Sequence, residues 1–330
     1  MRCPADDFKP GSGNIHMAVK QAVKVSIVIP TLGRPAVLEE CLVATAAALA
    51  KYGKKNWEII VVNNGEKLTE KNHAICKKFK VTEVRANRTL GSAAARNAGF
   101  AKASGEIIAV FDDDAFVLSN WFTEIIPLFS DGKVGAAGGL EIRNKKTSFF
   151  SRVLHGIWRK IFRQGKVTKW GNVIPIPDSA FGLQKVDHLH GSNFAFSRKA
   201  LAKVNGFDDV FVGHHRDETD FLYRIRKAGF RILLNPKTGA NHGLASIGGN
   251  VPPEKKRQWA YWYNRNNALF FFKDVYDGNP LHAISFFLLE ATYTLFRTIA
   301  HANPYYILKA NAYLEGMVLA RQEGKILAKK

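Results

Sequence analysis
In the stretch EIIAVFDDDAF, residues 106–116, mostly apolar residues run into three consecutive aspartates, Asp112, Asp113 and Asp114, and then into Ala115 and Phe116. Adjacent carboxylates repel and raise one another's pKa, so a cluster held between apolar residues calls for a positive partner. Such oxygen ligands suit a hard divalent ion, Mg²⁺ or Mn²⁺, whose remaining coordination positions go to substrate phosphates. Asp112 and Asp114, two residues apart, form the chelating pair. That leaves Asp113 for a sugar or ribose hydroxyl. An acidic surface loop is the plainer reading, but the apolar residues on both sides hold this cluster near a core.

A second acidic group, Asp217, Glu218 and Asp220, opens a helical segment, RDETDFLYRIRKAG. Acids in a first helical turn stabilise the macrodipole without further purpose. One carboxylate there can also take the proton of an attacking hydroxyl. His242, in NPKTGANHG, would complete a metal shell or donate to a diphosphate. Arg96, in AAARN, would contact a phosphate or orient the aspartates. In HGSN, small and polar, His190 and Asn193 are the candidate contacts to an acceptor.

The elements that must position these groups alternate. KVSIVIP (24–30), WEIIVVNN (57–64) and VTEVRA (81–86) read as strands, and 35–52, 69–79 and 91–103 as helices. A further strand is expected to end at Pro236. The alternation predicts an α/β fold, a mostly parallel central sheet flanked by helices. Ligands of such sheets sit beyond the carboxyl ends of the strands. Pro30, Thr31, Asn63, Asn64 and the three aspartates all fall at that edge.

Around this unit the composition shifts. Lys and Arg total 48 against 28 Asp and Glu, a formal charge of +20, which implies attraction to something anionic. From Arg143 to Pro177 no acidic residue occurs, and Phe149, Val153, Leu154, Ile157, Trp158 and Ile161 recur at helical spacing. This predicts a basic amphipathic insertion over about 143–178, suited to an anionic membrane surface. Residues 1–22 read as a flexible tail, 23–250 as the main domain, and 251–330 as a helical, aromatic-rich, basic C-terminal region. The apolar stretch LHAISFFLLEATYTLF is interrupted by Glu290. Cys3, Cys41 and Cys76 are too scattered for a disulfide framework or a zinc site, so a reducing compartment is expected.

Together the motifs VSIVIPTLGRP, EIIVVNNG, GSAAARNAGFAKASGEIIAVFDDDA, HGSNFAFSRKALAKVNGFDD, RDETDFLYRIRKAGF and NPKTGANH resemble those of family 2 glycosyltransferases, in order and spacing, over roughly residues 24–245. The resemblance implies a GT-A fold and transfer of a sugar, with inversion, from a nucleoside diphosphate donor to a glycan or lipid-linked acceptor. By it, Pro30, Thr31, Asn63 and Asn64 would hold the nucleoside, and Asp112–Asp114 would be the D-x-D-type element, with Asp114 the direct metal ligand. The usual Glu-Asp of the helix-opening motif is swapped here to Asp217–Glu218, so the base position falls on Glu218. Asn63 stands where an aspartate is usual. The resemblance also implies a cytoplasmic protein, peripheral on the inner face of the membrane. A nucleotidyltransferase acting on sugar phosphates would use similar aspartates but needs a glycine-rich basic loop where this chain has PTLGRP. A nucleic-acid-binding protein would explain the charge but not the carboxylates, so no nucleic-acid partner is expected.

Overall fold
The computed structural model describes residues 24–64, 70–85, 91–142, 165–174, 176, 182–213, 215–242, 253–300 and 310–327. The expected tail at 1–22 and most of the basic insertion, including its amphipathic core around 149–163, lie outside the described residues.

Strand β1 (Val25–Thr31) is buried along almost its whole length, as expected of a strand covered on both faces. Its period-2 alternation assigns the faces: Val25, Ile27 and Ile29 join one core cluster and Val28 the other. Helix α1 (Pro35–Tyr52) covers the first face. Pro35 occupies its first turn, and Gly53 caps its end with φ 70°. β2 (Trp57–Asn63), α2 (Glu70–Phe79) and β3 (Thr82–Arg85) follow. Helix α3 (Gly91–Lys102) covers the other face. It approaches so closely that a Cβ on Gly99 would lie 2.3 Å from the Val28 side chain.

The chain continues through β4 (Ile107–Phe111), β5 (Ala115–Val117), the short α4 (Trp121–Ile125), β6 (Val134–Ile142), β7 (Gln184–Val186), β8 (Asn193–Ser197), α5 (Arg198–Val204), α6 (Asp217–Lys227) and β9 (Arg231–His242). The sheet order is β3-β2-β1-β4-β8-β6-β9-β5, with β7 also on β9. The β3-β2-β1-β4 half and the β6–β9 pair are parallel, whereas β8, β5 and β7 run antiparallel to their neighbours.

This register decides where the site lies. Thr31 is level with Asn63, and β4 ends at Phe111, immediately before Asp112. Because β8 is antiparallel, its first residue, Asn193, faces Phe111, which brings His190–Ser192 to the same edge. The C-terminal ends of β6 and β9 return there with Glu141 and His242. The expected stop at Pro236 is corrected: β9 runs on to His242. The register with β6 shifts between Gly138 and Leu140, and such an irregularity accommodates a proline that has no N–H to donate.

The C-terminal region is helical: α7 (Pro253–Phe270), continued by a π turn (Phe271–Val275), then α8 (Pro280–Ala300) and α9 (Ala310–Leu327). Phe271 stacks on Phe286 with ring centroids 4.1 Å apart. Glu290, the lone acid of the apolar stretch, is fully buried and accepts hydrogen bonds from Tyr313 Oη at 2.9 Å and Asn267 Nδ2 at 3.2 Å.

Candidate active site
At the carboxyl edge lies an open cleft of about 320 Å³, bounded by the aspartate cluster, Arg96, His190–Ser192, Asp217, Glu218 and His242. The three aspartates divide their work. Asp113 is 3% exposed, accepts from Thr31 Oγ1 at 2.6 Å and Arg34 Nε at 3.2 Å, and is further paired to Arg34 Nη2. Burial raises its pKa against the opposing pull of Arg34 and Thr31. The expectation that Asp113 stays free for a hydroxyl is therefore corrected: its oxygens are already occupied.

Asp112 and Asp114 turn to the cleft with His242. Ligand atoms of the three lie within 4.8 Å of one another. His242 Nε2 stands 3.3 Å from Asp114 Oδ1 and 3.9 Å from Asp112 Oδ2, and its Nδ1 donates to Glu141. Burial disfavours the charged imidazole, but the bonds to Asp114 and Glu141 outweigh it and lift His242 to about 9. The Asp114 carboxyl is held below its ordinary value, since the His242 bond and the Arg34 charge overcome its burial. Two carboxylates and an imidazole backed by a further carboxylate make a donor set that fits Mn²⁺ or Mg²⁺.

The second acidic pair closes the opposite wall. Arg96, on α3, donates through Nη1 to Asp217 Oδ2 at 2.7 Å and through Nη2 to Asp112 Oδ1 at 3.0 Å. Ser92 Oγ adds a bond to Asp217 at 3.1 Å. Burial disfavours the Arg96 charge, yet Asp112 and Asp217 hold it more firmly protonated than usual, and the guanidinium lies over the Phe207 ring at 5.2 Å. Asp217 is thus buried and committed. Glu218 faces the cleft beneath Gly191, and burial together with the adjacent Asp217 carboxylate pushes it well above the usual carboxylate range. A carboxyl of raised pKa beside an open cleft has the character of a general base.

Of the residues singled out by sequence, Pro30, Thr31, Asn64, Arg96, Asp112, Asp113, Asp114, His190, Asp217, Glu218 and His242 line one cleft. Asn193 does not. Its Oδ1 accepts from Trp121 Nε1 at 3.3 Å and the Gly139 N–H at 3.2 Å, and its Nδ2 donates to the Leu140 carbonyl. It fastens β8 to β6 and α4, so the expectation of an acceptor contact is corrected. Asn63 is 1% exposed and lies behind the wall that Asn64 presents. Sequence reasoning missed Arg34, whose position just ahead of α1 and opposite an acidic strand end was the available signal. It also missed Glu141, which receives His242 on one oxygen and His190 Nδ1 on the other at 3.2 Å. Nothing in GGLEIR distinguishes that glutamate from a surface one.

The sequence profile described as Glycosyl transferase family 2 matches residues 26–204. The chain belongs to this family. It is 26% identical over 259 residues to a probable glycosyltransferase, YdaM, of Bacillus subtilis, covering 75% of this chain and 54% of that protein. It is 27% identical over 207 residues to a beta-monoglucosyldiacylglycerol synthase of Trichormus variabilis, covering 61% and 41%. The chain thus spans about half the length of the curated relatives it matches. Among solved structures, the mannosyltransferase PcManGT of Pyrobaculum calidifontis, in complex with GDP-Man and Mn²⁺, superposes with a TM-score of 0.57 at 19% identity, over 94% of this chain and 80% of that one. GalNAc-T7 with UDP, GalNAc and Mn²⁺ gives 0.52 at 14% identity, over 77% and 50%. These likenesses establish the GT-A fold.

Proposed function
We propose that this family 2 member is an inverting glycosyltransferase that moves a sugar from a nucleoside diphosphate donor to a hydroxyl of a lipid-linked or cell-envelope acceptor. The observation that carries the reading is the bridge made by Arg96: one guanidinium joins Asp112, of the metal-type triad, to Asp217, beside the base-type Glu218, across a single cleft. Asp112, Asp114 and His242 would hold Mg²⁺ or Mn²⁺, which when bound supplies Lewis-acid stabilisation of the departing diphosphate. Glu218 takes the acceptor hydroxyl's proton, while Arg96 and Ser92 hold Asp217 and so fix the start of α6. His190, half-exposed on the rim, meets the acceptor. Pro30, Thr31 and Asn64 line the nucleoside side.

The same reading treats residues 23–250 as the catalytic unit and 251–330 as a C-terminal helical region that meets an anionic membrane on its cytoplasmic side. No helix among the described residues is long and apolar enough to cross a membrane. Helix α8 nevertheless exposes Leu281, Ile284, Leu288 and Leu295, each more than half exposed, at spacings that place them along one stripe. The described end of the basic insertion is tied to that helix, with Trp170 Nε1 donating to Ser285 Oγ at 3.0 Å and Lys169 lying over the Trp170 ring. Charge and an apolar stripe at one place suit a lipid surface.

Calorimetry with UDP-, dTDP- and GDP-sugars, with Mn²⁺ and with EDTA, on wild type and Asp114→Ala, tests the donor site. Metal-dependent binding that is lost in Asp114→Ala is expected. Binding unaffected by EDTA and by the substitution would overturn the metal assignment, and no binding of any nucleotide sugar would overturn the donor class.

A further inference from the structure
The segment that leads into α6 is held from outside the catalytic unit. Residues 264–267 of α7, Asn-Arg-Asn-Asn, are all buried, although all four side chains are polar. Asn266 Nδ2 donates to the backbone carbonyls of Val212 at 2.7 Å and His215 at 2.8 Å. Arg265 Nη1 donates to the Val210 carbonyl at 2.8 Å. Asn267 Oδ1 accepts from Arg216 Nε at 2.8 Å and pairs with His215 Nε2 at 3.0 Å. An arginine Nε only donates, so this contact fixes which end of the Asn267 amide is oxygen. Its Nδ2 then points to Glu290 Oε2, which Tyr313 also bonds.

Arg216 is the residue before Asp217, and its backbone is left-handed, with φ 71°. A non-glycine residue keeps that conformation only where its surroundings over-determine it. The Asn266 and Asn267 contacts are those surroundings. They set the direction in which α6 departs, and thereby where the Glu218 carboxylate stands relative to Arg96 and Asp112.

We propose that Asn267, oriented by Glu290 and acting with Asn266, is a positioning residue for the Glu218 base. This inference rests on the transferase reading above. It gives the C-terminal helices a part in the chemistry, and it explains the lone glutamate in the apolar stretch of α8 as the far end of a buried relay.

The test follows nucleoside diphosphate release from UDP-glucose and GDP-mannose with Mn²⁺, water serving as acceptor, alongside calorimetric donor affinity. Asn267→Ala is expected to lower turnover roughly 10- to 100-fold, the scale set by a small misplacement of a reacting group, with donor KM and donor affinity unchanged. Glu290→Ala should follow it. Glu290→Gln should restore wild-type turnover, because its amide carbonyl still accepts from Asn267 and Tyr313. Arg216→Gly adopts the left-handed turn without strain and removes the anchor to Asn267 together with the guanidinium's contact over the Phe270 ring, so it should keep its fold and lose turnover. Undiminished turnover in Asn267→Ala and Arg216→Gly overturns the proposal, as does an equal loss of turnover and donor affinity. Donor binding by a wild type that shows no turnover also overturns it. A wild type that binds no nucleotide sugar fails the transferase reading first and takes this inference with it.

Discussion
Glu141 and His242 form the hinge of the candidate site: the imidazole donates through Nδ1 to the carboxylate and so turns Nε2 toward Asp114 at 3.3 Å. Carboxylate-backed histidine is the arrangement by which proteins fix the tautomer and direction of a metal-binding ring. Glu141 also receives His190, so a single carboxylate orders both the metal-type triad and the His190 rim of the cleft. Glu141→Ala is expected to weaken Mn²⁺ binding by roughly 10- to 100-fold, measured by titration of the Mn²⁺ paramagnetic resonance signal. Unchanged affinity would remove Glu141 from the metal site.

Glu218 makes a prediction with two signs. As a base it must be ionised, and burial beside Asp217 raises its pKa well above the ordinary 4.5. The rate should therefore fall as pH drops through a value above that of a free glutamate, and Glu218→Gln should cost about 10²–10⁴ in turnover. For stability the sign reverses. The folded state holds the Glu218 proton where the unfolded chain has released it, so stability declines as pH rises from about 4.5 through the folded value. Glu218→Gln removes that loss and should melt higher than wild type at neutral pH. Thermal unfolding at acid and neutral pH checks both; a variant that melts lower at neutral pH would contradict the raised pKa.

The site was legible where residue type and strand edge coincide. Asp112 and Asp114 follow a buried strand, and the swap at Asp217–Glu218 still leaves two carboxylates at a helix start. Their meeting across Arg96 is a consequence of topology that the order of motifs already carried. Single residues were less legible. Asn193 and His190 look alike in HGSN, and it is the Trp121 indole, 72 positions away in sequence, together with the Gly139 and Leu140 backbone that makes the first a structural fastener. Pro236 reads as a terminator, yet a register shift carries β9 past it to His242. Glu141 and Arg34 belong to no periodic pattern, since one charged side chain at an element's end looks the same whether it faces water or a site.

The C-terminal helices are joined to α6 by charge as well as by amides. Lys273 bonds Asp220 Oδ1 at 2.6 Å and Asp208 Oδ2 at 2.5 Å, while Arg224 holds the other Asp220 oxygen. Asp220 is fully buried, and removing one partner of a buried pair leaves uncompensated charge. Lys273→Met should cost about 3 kcal/mol of stability, the lower end of such losses because Arg224 remains. Urea unfolding measures it. A change below ~1 kcal/mol, the level of an exposed pair, would mean that the cluster is solvated.

The stripe on α8 bears on attachment to lipid. A leucine moved from water into an apolar phase gains about 1.5–3 kcal/mol, so Leu281 and Leu288 together contribute enough to hold a protein on a surface that also attracts its positive charge. Leu281→Glu with Leu288→Glu should reduce sedimentation with phosphatidylcholine–phosphatidylglycerol vesicles by at least about tenfold, the equivalent of roughly 1.4 kcal/mol. Donor binding should be untouched, because neither leucine lines the cleft. Wild-type binding should weaken with salt and be far lower on phosphatidylcholine alone, since screening reaches about 8 Å at physiological ionic strength. If the leucines instead met a second copy of the chain, light scattering would show a dimer that the double variant abolishes, with vesicle binding unchanged. That outcome would transfer the stripe from lipid to self-association.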